Sequence, residues 1–273
     1  MNIKVLEMFY EGKRGKEACE DLCVVTDDFV AVIDGVTSKS NFSYEGKTTG
    51  KLAAELTAKA IENLPSRSTL EQVIEKINLE MQAFYDTVPF PYEKTEMGLQ
   101  AVCVIYSLYH RKIWMIGDCQ AVVDGRTYIN PKKSDQILSE MRAFVIESMK
   151  RGNPEISEEE IFRMAREAIL PWILEATKFS NDNSTVYGYS ILNGEPIPRS
   201  LIREISLKED VCEVILASDG YPVVEPTLEE SEKKLRELLA KDPGCCQVYL
   251  STKGVGAGCH SFDDRTYIRF LAE

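Results

Sequence analysis

The chain has 273 residues, 44% hydrophobic and 28% charged, with a formal net charge of −12. A chain of this length buries roughly three quarters of its unfolded surface, so it needs neither disulfides nor a structural metal to fold. The acidic balance excludes nucleic acid and anionic membrane as main partners, since both select basic surfaces.

No stretch approaches the ~20 apolar residues of a membrane helix. The opening MNIKVLEMFYEGKRG has no long apolar core, so it does not read as a signal peptide. Eight cysteines are present and none forms a C-x-x-C pair. They read as small buried hydrophobes of a reducing, cytoplasmic environment.

In chain order, LCVVT and FVAVID predict a hairpin with Asp27-Asp28 as its turn. GKTTGKLAAELTAKAIENLP carries Leu52, Leu56, Ala60 and Ile61 at helical spacing and stops at Pro65. A second helix is expected from Ser68, with Glu71 three residues on as a capping box and Val73, Ile77, Met81 and Phe84 on one face. Pro89 and Pro91 close it.

Three strands in a meander follow: Ala101 to Ser107, Lys112 to Gly117, and Gln120 to Val123, with Asp124-Gly125 as a turn. The pattern is helical from Ser134 to Thr177, broken at Gly152-Asn153-Pro154, with Ser157 and Glu160 as another capping box. Strands are expected at Thr185 to Ile191, Val211 to Ala217, CCQVYL and RTYIRFL, with a helix over Leu228 to Leu239. Tight turns between strands mean mainly antiparallel sheet, and helices in pairs between blocks of strands mean α+β. No repeat or linker divides the chain, so one domain over 1–273 is expected.

Carboxylates recur at strand ends. Glu20-Asp21 precedes LCVV, Asp34 follows FVAVI, Asp118 follows IWMIG, Asp219 follows VILAS, and Asp263-Asp264 precedes RTYIRF. An Asp-Gly pair after a strand is also an ordinary turn signal. Several unpaired carboxylates beside a core would repel one another unless a cation compensates. Hard divalent ions take such oxygen ligands, and a glycine after Asp34 or Asp219 can bring a backbone carbonyl near an ion.

The ordered set resembles the metal-dependent protein phosphatase family, the type 2C serine/threonine phosphatases. Glu20-Asp21 resembles its early acidic pair, VAVIDG the strand ending in the bridging aspartate and glycine, and GKTTGKLAAELTAKAI the helix that follows. MGLQAVCVIYSLYHRKIWMIGDCQAVV resembles the G-S-T-A strand, hairpin and G-D-S-R segment, VILASDGYPVV the L-A-S-D-G strand, and FDDRTYIRF the final D-N-x-T-x-I strand. The match covers most of the chain outside a divergent helical segment at about 131–184. There Phe144, Val145, Met149, Ile161, Met164, Ile169 and Trp172 mark two amphipathic helices that either pack as core or form a platform for substrate or partner.

The resemblance implies a four-layer αββα sandwich, two central antiparallel sheets flanked by helix pairs, with two divalent ions, Mg²⁺ or Mn²⁺. It implies that Asp34 bridges both ions, that the Gly35 carbonyl binds one, and that Asp219 and Asp263 bind the second. Asp34, Asp219 and Asp263 are therefore expected to converge within one ion's reach and to be the catalytic carboxylates. Glu20 and Asp21 act nearby, partly through water, and Asp118 holds a third, weaker ion. Asp264 falls where the family has asparagine, so the ligand is Asp263 or its neighbour.

Lys16 stands where the family carries arginine, with Arg14 and Lys13 nearby; Lys16 and Arg14 are the expected phosphate ligands. The family's D-G-H-G-G histidine has no counterpart in Asp34-Gly35-Val36-Thr37-Ser38. Of the two histidines, His110 reads as a hairpin tip, and His260 is either a loop residue or close to the metal. The implied reaction is hydrolysis of phosphoserine or phosphothreonine in a phosphoprotein or phosphopeptide, by attack of a metal-bridged water. The alternative is a non-catalytic pseudophosphatase that keeps the fold as a binding or regulatory module.

Overall fold

The computed structural model describes residues 2–208, 210 and 212–272. Within them lie strands β1 (Ile3–Glu11), β2 (Leu22–Val25), β3 (Phe29–Gly35), β4 (Ala101–Ser107), β5 (Lys112–Ile116), β6 (Gln120–Val123), β7 (Arg126–Tyr128), β8 (Arg203–Ser206), β9 (Cys212–Ala217) and β10 (Arg265–Ala272). They form two five-stranded sheets, ordered β1-β10-β9-β6-β7 and β2-β3-β4-β5-β8, and every pairing is antiparallel.

The apolar runs of β3 and β4 are covered on both faces. Alternate side chains point to opposite sides of a strand, so Val30, Val32, Val104 and Tyr106 meet Leu216, Ile268 and Phe270 between the sheets. Their neighbours Ala31, Ile33, Cys103 and Ile105 face outward onto helices α1 (Thr49–Glu62) and α2 (Leu70–Thr87). Those helices present Leu52, Ala60, Ile61, Val73, Ile77 and Met81, the faces their spacing predicts.

A short helix, α3 (Lys94–Met97), leads into β4. Over the outer face of the other sheet, Leu235 of α6 (Leu228–Lys241) packs with Ile215, Ala217 and Tyr267. Helices α4 (Lys133–Gly152) and α5 (Glu158–Ala176) pack on each other through Ile146, Ile161 and Ala165. Phe144 and Trp172 of this pair are exposed, whereas Ile169 is buried. No described helix is long and apolar enough to cross a membrane.

Several expectations are corrected. The capping box of α2 sits one residue later, on Thr69 and Gln72, while the Ser68 hydroxyl donates to the Pro65 carbonyl at 2.7 Å. Ser157 caps α5, but the Glu160 carboxylate turns to Arg163, so the box is half made. The meander breaks after β5: Gly117, at φ +85°, sends the chain from one sheet into the other, where β6 pairs with β9 and β7.

Thr185 to Ile191 is loop, with one isolated bridge, from Tyr189 to Ser180, and side-chain hydrogen bonds such as Gly117 N–H to Ser190 Oγ in place of a strand ladder. CCQVYL is loop as well, because the backbone N–H groups of Cys246, Gln247 and Val248 are taken by the Asp242 carboxylate rather than by a strand. Val211, the expected start of β9, lies outside the described residues. Strands β1, β7 and β8 have no counterpart among the sequence expectations.

Candidate active site

The crossing at Gly117 matters because it places Asp118 at the rim between the sheets. Asp34 ends β3 of one sheet, Asp219 follows β9 of the other, and Asp263 precedes β10. These four carboxylates line one cavity of about 230 Å³.

The glycines beside them serve close approach rather than unusual backbone angles, since neither Gly35 nor Gly220 takes a positive φ. A Cβ on Gly35 would lie 2.4 Å from the Gly50 carbonyl oxygen, and one on Gly220 would lie 1.9 Å from that of Asp264. Glycine lets the acidic strand ends pack backbone to backbone.

Burial pushes the Asp34 carboxyl well above the usual carboxylate range, and the charges of Asp21 and Asp263 add to this. Asp219 is raised in the same way by burial, then by Asp34 and Asp118. Asp118 is raised by burial and by Asp135. Asp263 differs. Burial alone would raise it, but the ammoniums of Lys253 and Lys13 outweigh that and hold it down at about 2.

Lys13 Nζ stands 3.1 Å from Asp263 Oδ1, and Lys253 Nζ pairs with Oδ2. Both lysines also reach Thr37 Oγ1, at 3.3 and 3.4 Å. Asp264 turns the other way and accepts the backbone N–H of Lys13 at 2.9 Å and of Glu20 at 2.8 Å. Of the two neighbours it is therefore Asp263 that faces the cavity.

Glu20 and Asp21 stand one layer behind the cavity wall. Glu20 accepts the Thr48 hydroxyl, and Asp21 Oδ2 accepts that of Thr266 at 3.1 Å. Burial, followed by Asp264, pushes Asp21 up to about 8. Lys16 and Arg14 are exposed. The Lys16 ammonium lies over the Tyr10 ring, 4.6 Å from its centroid, and Arg14 lines an adjoining cavity beside α5 that shares Thr37, Arg166 and Lys253 with the first. The third cation of that basic turn, Lys13, is the one that points inward. His260 is exposed, and His110 Nε2 lies 3.1 Å from the Ser68 carbonyl.

The donors match hard-cation chemistry in kind: carboxylates from both sheets, with Asp21 Oδ1 and Asp219 Oδ1 buried and lacking any hydrogen-bond partner. Orphaned anionic oxygens in a cluster of raised carboxyls are what a divalent ion would satisfy. The convergence stops at a shared cavity, however. Among the described residues no three His, Cys, Asp or Glu side chains already stand as one ion's ligand set, and two ammoniums flank Asp263.

Sequence reasoning passed over Lys39, Lys132, Arg166 and Lys253, all on the cavity wall. Lys39 and Lys253 sit in short stretches of small residues, TSKS and STKG, where nothing marks them as inward-facing.

No protein-family model matches the chain, and no curated protein matches it. Solved structures do. The serine/threonine phosphatase PstP/Ppp of Mycobacterium tuberculosis superposes with a TM-score of 0.51 at 13% identity, over 99% of this chain and 98% of that one. The catalytic domain of serine/threonine protein phosphatase PstP, in complex with two manganese ions, gives 0.50 at 16% identity, over 99% and 100%. This chain has the serine/threonine phosphatase fold. Identity of this order carries the architecture, and the chemistry rests on the side chains described above.

Proposed function

We propose that the chain, read as one domain over 1–273, is a metal-dependent phosphoric monoester hydrolase acting on phosphoserine or phosphothreonine in proteins. The observation that carries this reading is the meeting of Asp34, Asp118, Asp219 and Asp263 from two sheets in one cavity, with Asp219 Oδ1 there and Asp21 Oδ1 behind it buried and unpartnered. It is supported by the fold shared with two phosphatase structures, one of them holding two manganese ions.

Asp34, Asp118, Asp219 and Asp263, with the Gly35 carbonyl, would hold two Mg²⁺ or Mn²⁺ ions; Glu20 and Asp21 would support them from behind. When bound, such ions supply a water of lowered pKa and a charge clamp for the phosphoryl group. Asp264 fixes the loop carrying Lys13 and Glu20 through its two backbone hydrogen bonds. Lys13 and Lys253 keep Asp263 ionised and so keep it an acceptor. A cytoplasmic, reducing location is supported by eight cysteines that are all free thiols.

Purified protein is expected to hydrolyse p-nitrophenyl phosphate or a phosphothreonine peptide with Mn²⁺ or Mg²⁺ and to stop on chelation. Asp34→Asn is expected to lower kcat at least ~10³-fold, as losses of whole catalytic units do. Tight Mn²⁺ binding without turnover on several phosphopeptides would make the chain a binding module instead.

A further inference from the structure

Besides the aspartates, the cavity is lined by cations. Lys39 comes from the loop after β3, Lys132 from the start of α4, and Arg166 from the middle of α5. Lys132 is matched, with Asp135 Oδ1 3.2 Å from its ammonium and the Tyr189 ring beneath it. Lys39 and Arg166 make no ion pair with any described carboxylate, in a chain of net charge −12.

Neutral oxygens hold them instead. Lys39 Nζ donates to Gln100 Oε1 at 3.2 Å, and the Gln100 amide is locked by donating to the Thr95 carbonyl at 2.7 Å. Arg166 Nη1 donates to the Thr252 carbonyl at 2.9 Å, which leaves its other nitrogens free of any described partner. Burial lowers the Lys39 ammonium to about 8; Lys132 and Arg166 lower it further, and Asp135 opposes them. Two half-buried cations with no ion pair among the described residues, lining a cavity that also holds the acidic cluster, form a receptor for an anion.

We propose that Lys39 and Arg166 bind the phosphate dianion of the substrate, in place of the outward-facing Lys16 and Arg14. This rests on the phosphatase reading and gives the divergent helical segment a part in substrate binding, since α5 carries the guanidinium that orients phosphate against Asp34 and Asp219.

The test uses the full chain with Mn²⁺. Lys39→Gln and Arg166→Gln should each raise KM for p-nitrophenyl phosphate by about tenfold with kcat within about threefold. Arg166→Lys should recover part of that loss, because the charge remains without the fork. Arg163→Gln, on the same helix but exposed and paired with Glu160 and Glu167, should leave KM unchanged.

Inorganic phosphate binding, followed by calorimetry, separates this proposal from the phosphatase reading. If turnover is absent yet phosphate binds wild type and weakens about tenfold in both Gln variants, the anion site stands and the activity falls. If phosphate binds wild type and the variants alike, or if KM does not move, Lys39 and Arg166 are not the phosphate ligands.

Discussion

Two buried aspartates, Asp264 and Asp242, each hold a loop by its backbone N–H groups. Asp264 is buried and accepts two backbone N–H groups, from Lys13 and Glu20, and so ties the N-terminal loop to β10. Asp264→Ala would orphan both donors and should cost about 2–4 kcal/mol, read as a lower urea midpoint at unchanged m. A loss under about 0.5 kcal/mol would mean that water replaces the carboxylate.

Asp242 is buried too, and burial alone would raise its carboxyl. The N–H groups of Gln247, Cys246, Val248 and Tyr249 outweigh burial and hold it below its ordinary value of 3.8. A depressed carboxyl contributes stability that is present above the unfolded-state pKa and lost as pH falls through the folded one. Between about pH 7 and pH 3, wild type should therefore lose more stability than Asp242→Asn, and parallel melting curves for the two proteins would contradict this.

At the scale of elements, the strand ends are fitted to one another. Gly220 follows β9 where β10 begins, with the Asp264 carbonyl 1.9 Å from where a Cβ would stand. That contact is backbone rather than the tip of a flexible side chain, so Gly220→Ala must move the chain and should destabilise by roughly 1–3 kcal/mol. It should also displace Asp219 from Asp263, so activity should fall further than stability. A crystal structure of the variant with the two strand ends unmoved would contradict the fit. Pro171 within α5 removes one helical hydrogen bond near the C-terminal end of the helix, yet Arg166 stands a turn earlier, on the regular part.

For the whole molecule, the site opposes the stability of the fold. Burial and mutual repulsion raise Asp34, Asp118 and Asp219 together, so in the absence of a divalent ion each costs the folded state. Asp34→Asn removes one of these charges without changing shape. In chelator it should melt about 2–6 °C above wild type, the range expected for roughly 1–2 kcal/mol in a chain of this size. Mn²⁺ should raise the Tm of wild type and barely move that of the variant. A variant less stable than wild type in chelator would show that Asp34 does not carry uncompensated repulsion.

The α+β class and the helical faces are written in the sequence, because side-chain period is a local property, whereas the two central sheets are implied only by the family resemblance. The alternation in VAVI and AVCVIYS and the spacing of Val73, Ile77 and Met81 need no distant partner to be read. The acidic strand ends are legible for the same reason, each as a local break from apolar run to carboxylate. What no local pattern carries is orientation. Lys13, Arg14 and Lys16 lie within four positions, yet only Lys13 turns inward, since Asp263 and Asp264, some 250 residues away, draw it there. CCQVYL has strand composition, yet the Asp242 carboxylate takes its donors. Arg166 reads as one polar position of an amphipathic helix until α5 docks beside Thr252 and turns it into the cavity wall. Long-range charge pairing and docking decide these points, and both act only once the chain has folded.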